Sequence, residues 1–386
     1  MRSKDLSLYI HIPFCVRKCA YCDFLSFSAE DSLKERYIDR LCKEILNEAA
    51  RYKDRYVISV FFGGGTPSVL RAEQTGRIME LIGSSFNISA NAEISIEVNP
   101  KTADKEKFEI YKRAGINRIS IGCQSLNDKE LEVLGRIHRQ EDFYRTFQAA
   151  RDAGFDNINV DMMSALPGQT AADYESSLKK LLCLKPEHIS AYSLIIEEGT
   201  PFFERYQEDA LIRDKGGRPR YLPDEDEERR MLYLGRDILK DAGYHQYEIS
   251  NYALTGYECR HNKVYWQRGD YAGSGLGASS CVDECRWKNT EDPDEYLSAG
   301  ADELKQDIQK LDITQQCSEA MFLGLRLMRG VDEAEFAGRY GIEPSCLYRE
   351  WIDRMMSERL MESADGRLTL TQRGQDLANY VWGGFV

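Results

Sequence analysis

Three cysteines close to the start of the chain are the residues best suited to chemistry. Cys15, Cys19 and Cys22 lie in the run His11-Ile-Pro-Phe-Cys-Val-Arg-Lys-Cys-Ala-Tyr-Cys-Asp-Phe24, with the spacing C-x3-C-x2-C. Three thiolates this close together can each hold one iron of a [4Fe–4S] cube, which leaves the fourth iron without a protein ligand. An iron with an open position can bind a small molecule and pass it an electron. The spacing therefore predicts chemistry at a cluster rather than a cluster that only conducts electrons.

Other interpretations of these cysteines are open. A structural zinc site takes four ligands, usually in two separated pairs, and His11, the nearest further donor, lies in an alternating apolar run where packing or hydrogen bonding is expected. Buried thiols without a metal are a second alternative. A disulfide is not expected, because the polar start Met-Arg-Ser-Lys-Asp lacks the pattern of a secretory signal.

The composition limits the class of protein. The chain has 386 residues, 42% of them hydrophobic, which suits one large domain with a smaller one beside it. The net charge of −13 argues against a nucleic-acid partner. No apolar run is long enough to cross a bilayer, and eleven cysteines without a secretory signal predict a reducing compartment. We therefore expect a cytoplasmic protein, with transient contact to membrane-bound partners allowed.

Strand-like runs alternate with amphipathic stretches through the first half of the chain. The strands are predicted at Ser7–Ile12, Tyr56–Phe62, Glu93–Val98, Arg118–Gly122, Asn157–Met162 and His188–Leu194. The helices are predicted at Asp31–Ala50, Gln74–Phe86, Asp104–Ala114, Glu141–Ala153 and Ala171–Leu182. Six such units predict an α/β fold in which a parallel sheet, covered by helices, forms a partial (β/α)6 barrel.

The polar motifs follow the predicted strands, where the active sites of such barrels lie. The cysteine loop follows the first strand, and the run Gly63-Gly64-Gly65-Thr66-Pro67 follows the second. Glu97 ends the third strand, Gln124 follows the fourth and Asp161 ends the fifth. The pattern predicts that these side chains meet at one mouth of the barrel.

The remainder of the chain is interpreted as two further parts. Residues 1–205 form the predicted barrel core, and residues 206–311 an extension that contains a densely charged loop. Residues 312–386 read as several short helices and a short strand at Arg367–Thr371, a small helical domain that resembles a winged helix. That last part holds 8 Arg, no Lys and 12 acidic residues, so we expect it to pack or to bind a partner rather than DNA.

The cysteine spacing, followed by the GGGTP loop, resembles the radical S-adenosylmethionine (SAM) superfamily. The resemblance implies that the open iron binds the amino and carboxylate groups of SAM, and that an electron from the cluster yields a 5′-deoxyadenosyl radical. The residues suit this role, because three glycines expose backbone groups without Cβ atoms and can approach a ligand closely. A glycine run alone would equally fit a tight turn.

The similarity extends to the oxygen-independent coproporphyrinogen oxidase group. The shared motifs are Tyr9-Ile-His-Ile-Pro13, Phe61-Phe-Gly-Gly-Gly-Thr-Pro67, Glu97-Val-Asn-Pro100, Arg118-Ile-Ser-Ile-Gly-Cys-Gln124, Leu134-Gly-Arg-Ile-His138 and Asn159-Val-Asp-Met-Met163. By that resemblance the SAM-binding residues are Tyr9, Gly63, Gly64, Gly65, Thr66, Glu97, Gln124, Arg136 and Asp161. Taken singly, the polar ones could instead make structural hydrogen bonds at the barrel mouth.

Two features resemble the HemW branch of this group, whose members are heme chaperones. The oxidases carry another cysteine two positions after the third cluster cysteine, where this chain has Phe24. The run His261-Asn-Lys-Val-Tyr265-Trp266 matches the HNxxYW motif of that branch, which is implicated in heme binding. His261 is a candidate axial ligand of heme iron and Cys259 a weaker one; alternatively, the motif closes a loop over the barrel and fills core.

The resemblance implies a [4Fe–4S] cluster, SAM and heme as cofactors. It also implies that the chain delivers heme to apo-hemoproteins such as respiratory enzymes, and that flavodoxin or ferredoxin supplies electrons if SAM is cleaved. The alternatives are a coproporphyrinogen III oxidase or another radical enzyme that acts on a tetrapyrrole. Whether the chain is an enzyme stays open, and no residue is assigned as a catalytic acid or base.

Overall fold

One twelve-stranded sheet organises the first three quarters of the chain. The computed structural model describes residues 4–300 and 303–386. The six strands that the sequence predicts are β1 (Asp5–Ile12), β2 (Tyr56–Gly64), β3 (Asn87–Val98), β4 (Arg118–Gln124), β5 (Ile158–Ser164) and β6 (His188–Ser193). They pair in that order, all in parallel. The predicted α/β class with a parallel barrel core is confirmed.

The helices between these strands cover the outer face of the sheet. They are α1 (Asp31–Arg51), α2 (Ala72–Ser85), α3 (Lys105–Arg113), α4 (Asp128–Val133), α5 (Gln140–Asp152) and α6 (Ala171–Leu182). The alternation along β1 shows how the layers form: Leu8 and Ile10 belong to the same buried apolar cluster as Leu41 of α1. Tyr9, between them, points to the other side and contacts aromatic rings inside the barrel. The core therefore lies between sheet and helices, and polar side chains line the interior.

The middle of the chain adds strands to both edges of this sheet. Its elements are α7 (Pro201–Asp214), α8 (Glu225–Asp241), β7 (His245–Glu248), β8 (Asn251–Ala253), α9 (Arg260–Trp266), β9 (Tyr271–Ser274), β10 (Ser279–Val282), β11 (Cys285–Asn289), α10 (Pro293–Ser298) and β12 (Lys305–Lys310). Strand β9 pairs in parallel with β1, and β8 pairs antiparallel with β6. The extension predicted from composition thus continues the barrel sheet, although the sequence pattern predicts none of its six strands.

The last part of the chain has its own small core and sheet. Its elements are α11 (Ile313–Gly324), β13 (Val331–Asp332), α12 (Glu333–Tyr340), α13 (Pro344–Leu347), α14 (Arg349–Ser357), β14 (Met361–Ala364), β15 (Arg367–Leu370), α15 (Gln372–Asp376) and α16 (Ala378–Gly383). The strands form a three-stranded sheet in the order β13-β15-β14. This agrees with the small, mostly helical C-terminal domain that the sequence predicts. No helix in residues 4–300 and 303–386 combines the length and apolar character needed to span a bilayer.

Candidate cofactor site at the mouth of the barrel

The cysteine loop leaves the carboxyl end of β1 and is held in place by backbone hydrogen bonds. The Cys15 amide donates to the Phe27 carbonyl at 3.0 Å, and the Phe27 amide donates to the Pro13 carbonyl at 2.8 Å. These bonds close the loop at its base, so the cysteines lie on a fixed turn. Cys15, Cys19 and Cys22 are free and partly exposed.

Two of the three sulfur atoms contact residues that the sequence assigns to the SAM site. The Sγ of Cys15 lies 3.4 Å from Oγ1 of Thr66, in the loop after β2. Nη1 of Arg136 donates to Sγ of Cys19 at 3.4 Å. The structure therefore brings the cysteine loop, the glycine loop and Arg136 together at one mouth.

The three cysteines of this loop could serve a single metal ion or a polynuclear cluster. Within the described part of the chain, no group of three or more His, Cys, Asp or Glu side chains converges closely enough to hold one metal ion. A zinc site needs its ligands to meet at a single point, whereas a [4Fe–4S] cube takes one thiolate on each of three irons. Cys15, Cys19 and Cys22 are the residues that would hold such a cube, and the cube would supply an iron open to SAM.

The glycine loop needs its glycines because its neighbours leave no room for side chains. Gly64 has a φ of +113°, and a Cβ there would lie 2.5 Å from the His11 ring. A Cβ on Gly65 would lie 2.8 Å from the Phe14 carbonyl oxygen and 3.1 Å from Sγ of Cys15. The loop therefore packs its backbone directly against the cysteine turn, and the Gly65 amide donates to the Ile12 carbonyl at 2.9 Å.

Both ring nitrogens of His11 make hydrogen bonds within this scaffold, so His11 is not a metal ligand here. Its Nε2 lies 3.1 Å from the Leu25 carbonyl oxygen in the cysteine loop, and its Nδ1 lies 3.1 Å from the Tyr9 hydroxyl. A carbonyl only accepts, so Nε2 carries the proton and Nδ1 accepts from Tyr9. Burial lowers the pKa of His11, so the ring stays neutral. Both nitrogens are occupied, as the interpretation of His11 as a packed, hydrogen-bonded residue expects.

Two carboxyl groups share the interior just below the mouth. Burial, together with the nearby Asp161, raises the pKa of Glu97 to about 8, and a backbone hydrogen bond from Gly64 opposes that rise. Burial also raises the pKa of Asp161, while a 2.7 Å hydrogen bond from Nδ2 of Asn159 opposes it. Both side chains keep some contact with the open interior of the barrel. Burial and the like charge of the neighbouring carboxyl group both favour the protonated form of Glu97, and a cationic ligand would favour the carboxylate.

Arg136 and Gln124 complete the predicted set of SAM-binding residues. Gln124 ends β4, and Arg136 follows it along the chain. Nη2 of Arg136 donates to Oδ1 of Asn99 at 2.7 Å and to the Gly122 carbonyl at 2.5 Å. Gln124 has a φ of +69°, and its Oε1 accepts from the Tyr192 hydroxyl at 3.1 Å. A positive φ is unusual for glutamine, so the turn after β4 holds this side chain at the mouth under backbone strain.

Asn99 and Tyr192 belong to this mouth but the sequence analysis did not assign them. Asn99 donates from Nδ2 to Oγ1 of Thr66 at 2.7 Å and accepts from Arg136, so it joins the β2, β3 and β4 loops. It lies inside the quoted motif Glu97-Val-Asn-Pro100, where an asparagine directly after a strand was a usable signal. Tyr192 comes from the carboxyl half of β6, and the sequence pattern marks it only as a strand residue.

The structure places the expected heme ligand away from this mouth. His261 is 1% exposed, and its ring stacks on Phe61 inside the barrel. Its Nδ1 lies 2.9 Å from Oγ of Ser59, and its Nε2 lies 2.8 Å from the Tyr265 hydroxyl. Ser59 pairs with Ser7 near the amino-terminal ends of β1 and β2, opposite the cysteine loop. Burial lowers the pKa of His261 to about 3, so the ring is neutral and both nitrogens are hydrogen-bonded.

Glu93 fixes the segment that carries His261. Its carboxylate accepts from the backbone amides of Arg260 and His261, at 2.9 and 3.1 Å, and from Sγ of Cys259 at 3.3 Å. Burial raises the pKa of Cys259 to about 12, because the lowering effect of Arg118 is too small to offset it. Cys259 is therefore a thiol that donates to Glu93, and a thiol is a poor metal ligand.

Comparison with known proteins first defines the class. Residues 9–181 match the Radical SAM superfamily, and residues 311–377 match the HemN C-terminal domain. The solved structure of coproporphyrinogen III oxidase (HemN) from Escherichia coli, described as a radical SAM enzyme, shares the fold with a TM-score of 0.84. The alignment covers 99% of this chain and 90% of that one, at 23% identity. The barrel with a cysteine loop at its mouth is thus the fold of a radical SAM protein.

The curated relatives then define the family. Heme chaperone HemW from Bacillus subtilis is 36% identical over 98% of this chain and 99% of the relative. Heme chaperone HemW from Lactococcus lactis is 35% identical over 100% and 98%, and that from Escherichia coli is 34% identical over 97% and 96%. The chain therefore belongs to the HemW family of radical SAM proteins, whose membership implies a [4Fe–4S] cluster and SAM.

Proposed function

We propose that this chain is a heme chaperone, which binds heme and transfers it to apo-hemoproteins, with respiratory enzymes as one class of acceptor. Its cluster is held by Cys15, Cys19 and Cys22. SAM binds beside it, between the glycine loop, Gln124, Arg136 and the two carboxyl groups. The observation that carries the proposal is the end-to-end similarity to three curated heme chaperones, which includes the middle and C-terminal parts of the chain.

Different residues at the mouth would bind different groups of SAM. The backbone of Gly63–Gly65 and the carboxyl groups of Glu97 and Asp161 suit the ammonium and ribose hydroxyls, because these ligand groups donate hydrogen bonds. Arg136 suits the carboxylate of SAM, and its present partners are neutral oxygens and one sulfur. When bound, SAM would supply a sulfonium group for the chemistry of the cluster. The chain's own contribution is to orient the ligand and to neutralise its charges.

The second candidate function is a coproporphyrinogen III oxidase, which the fold similarity to HemN favours. Phe24 argues against the oxidase function, because the oxidases that this sequence resembles carry a cysteine at that position. Phe24 is 63% exposed, so the structure would accommodate a cysteine there without repacking. The difference is therefore a property of the loop surface and not a constraint of the fold.

Heme transfer and oxidase turnover give different products, so one protein preparation tests both. We expect the anaerobically reconstituted protein to bind added heme and to pass it to an apo-cytochrome b faster than heme-loaded serum albumin does. Incubation with coproporphyrinogen III, SAM and a reductant should yield no protoporphyrinogen. Transfer no faster than from albumin would contradict the chaperone proposal, and formation of protoporphyrinogen would establish the oxidase instead.

Ligation of heme iron by His261 remains part of the proposal, and the structure sets a condition for it. The side chain is enclosed, and the Tyr265 hydroxyl occupies Nε2. We therefore expect heme to reach His261 only after α9 moves away from the barrel interior. On this basis Tyr265→Phe, which removes the competing hydroxyl, should accelerate heme binding by about tenfold, the equivalent of one hydrogen bond of 1–1.5 kcal/mol. His261→Ala should weaken heme binding and change the Soret band.

Stopped-flow absorbance in the Soret region measures both variants, and Tyr271→Phe is the matched control because Tyr271 packs on Tyr265 without a hydrogen bond to His261. If His261→Ala and Tyr265→Phe both bind heme as the unmodified protein does, the ligand lies elsewhere in the chain.

The proposed setting is a reducing cytoplasm, where flavodoxin or ferredoxin would supply the electron if SAM is cleaved. All eleven cysteines are free in the structure, which supports that setting. Transient contact with membrane-bound acceptors is compatible with this proposal.

A further inference from the structure

Arg118, the first residue of β4, is a buried charge without a direct partner. It is 2% exposed, and among residues 4–300 and 303–386 no carboxylate forms an ion pair or hydrogen bond with its guanidinium. Its Nε is enclosed and unpartnered, and so is the hydroxyl of Ser95, the residue opposite it on β3. A guanidinium keeps its charge at physiological pH. Buried charges are normally paired and hydrogen-bonded, so Arg118 is suited to a partner that the chain itself does not supply.

The side chain of Arg118 faces the interior of the barrel, below the two carboxyl groups at the mouth. In the parallel pairing of the strands, Glu97 lies opposite Ser120 and Asp161 lies opposite Gly122. Side chains alternate between the two faces of a strand, so Arg118 shares the interior face with these residues. Burial raises the pKa of Glu97 and of Asp161, and the charge of Arg118 opposes the rise in both. Arg118 therefore lies at the floor of the space that opens at the cysteine loop.

The acceptors that act on Arg118 electrostatically are engaged with other donors. Glu93 accepts from two backbone amides of α9 and from the thiol of Cys259. The Tyr247 hydroxyl accepts from the Cys259 amide at 3.2 Å, and Asp161 accepts from a side-chain amide of β5 at 2.7 Å. These groups reduce the cost of burying the charge. They leave the N–H groups of the guanidinium available to a further acceptor.

The space above Arg118 has aromatic groups along one side. Tyr9 and Phe61 face inward from β1 and β2, and both are partly exposed although they lie inside the barrel. Their rings stack with centroids 6.4 Å apart. Above Arg118, the inward residues of β4 are a serine and a glycine, which take up little room. A ligand in this space would therefore meet flat aromatic groups at its side and an unpaired cation at its end.

We propose that Arg118 binds a carboxylate of the tetrapyrrole at the floor of the barrel interior. The inference rests on the proposed heme function, and it names the residue that takes one propionate of heme. Heme combines a flat apolar ring with carboxylates, which is the chemistry that the aromatic side and the unpaired cation would recognise. SAM also carries a carboxylate, but Arg136 at the mouth suits that group. An arginine pairs with a carboxylate through two parallel hydrogen bonds.

Heme and its dimethyl ester test the proposal in the full-length, cluster-loaded protein. The ester keeps the ring and the iron, but both propionates are esterified and carry no charge. We expect the unmodified protein to bind heme about tenfold or more tightly than the ester, which is the effect of a hydrogen bond between charged groups. Arg118→Gln should lower the heme affinity to that of the ester and leave the ester affinity unchanged. Absorbance titrations in the Soret region, made without SAM, measure these affinities.

Arg40→Gln is the matched control for the loss of a buried arginine. Arg40 is also buried and has unpartnered nitrogens, yet it lies on α1 beside the Tyr296 ring, outside the barrel sheet. This variant should bind both ligands as the unmodified protein does. Arg118→Lys keeps the charge without the forked geometry, so it should bind heme more tightly than Arg118→Gln does.

Three results would overturn the Arg118 site. The first is equal affinity of the unmodified protein for heme and the ester, which needs no variant to fold. The second is a preference for heme that Arg118→Gln retains, or an equal loss of affinity for both ligands in that variant. The third is weaker SAM binding with unchanged heme binding in Arg118→Gln, which would assign the residue to SAM. An unmodified protein that binds neither heme nor the ester would overturn the proposed heme function as well.

Discussion

Replacement of Cys19 by alanine is expected to abolish the iron–sulfur cluster. Two thiolates remain in Cys19→Ala, and two cannot anchor a cube that needs a protein ligand on three irons. Nη1 of Arg136 also loses its sulfur partner, which leaves a charged group without one of its contacts at the mouth. We expect iron and sulfide after anaerobic reconstitution to fall by about tenfold or more, and the SAM-induced change in the cluster spectrum to disappear.

Cys183→Ala is the matched control for this experiment. Cys183 is exposed at the end of α6, where its thiol donates to the Lys179 carbonyl at 3.3 Å. This variant should retain the full iron and sulfide content, so a loss seen only in Cys19→Ala is specific to the loop. A cluster of unchanged iron content and spectrum in Cys19→Ala would contradict the assignment of the three cysteines.

The local pattern of the sequence predicted most of the barrel. Amphipathic helices such as Ala171–Leu182 begin and end where the pattern places them, because their apolar spacing and their capping residues are encoded within a few turns. The strand at Asn87–Val98 begins six residues before the predicted start at Glu93. Its first half, Asn-Ile-Ser-Ala-Asn-Ala, is mostly polar or small, so only its pairing with β2 identifies it as a strand.

Contacts between distant parts of the chain were not predictable in this way. Strand β9 has four residues, two of them Gly and Ser, and it is recognisable only because it pairs with β1. The position of His261 depends on Glu93, 168 residues earlier, whose carboxylate holds the start of α9 inside the barrel. The sequence marked His261 as chemically important, yet nothing in its spacing told which end of the barrel it occupies.

Binding of SAM is expected to strengthen as the pH rises toward about 8 and to level off above it. The cause is Glu97, whose pKa burial and Asp161 raise to about 8, so its carboxyl is mostly protonated at neutral pH. A bound ammonium or sulfonium stabilises the carboxylate, so binding releases a proton. One released proton corresponds to about tenfold in affinity per pH unit below the pKa.

Folding stability should show the opposite dependence on pH in the absence of SAM. The unfolded chain ionises Glu97 near its ordinary pKa of 4.5, whereas the folded chain keeps the proton until about 8. The folded state therefore binds more protons between these values, and the free energy of unfolding falls as the pH rises through this window. Glu97→Gln removes this contribution, so its unfolding free energy should fall less steeply over the same pH range.

Two variants test whether the carboxyl groups of Glu97 and Asp161 cause the pH dependence of SAM binding. The amino group of SAM also titrates, so the informative quantity is the difference in pH dependence between each variant and the unmodified protein. SAM dissociation constants measured across pH by isothermal calorimetry give this difference. Glu97→Gln should bind SAM more weakly at high pH. The slope of its SAM affinity against pH should also be smaller by the equivalent of one released proton. Asp161→Asn removes the like charge that raises the pKa of Glu97, so its affinity should level off at a lower pH. Identical slopes in Glu97→Gln and the unmodified protein would place Glu97 outside the SAM site.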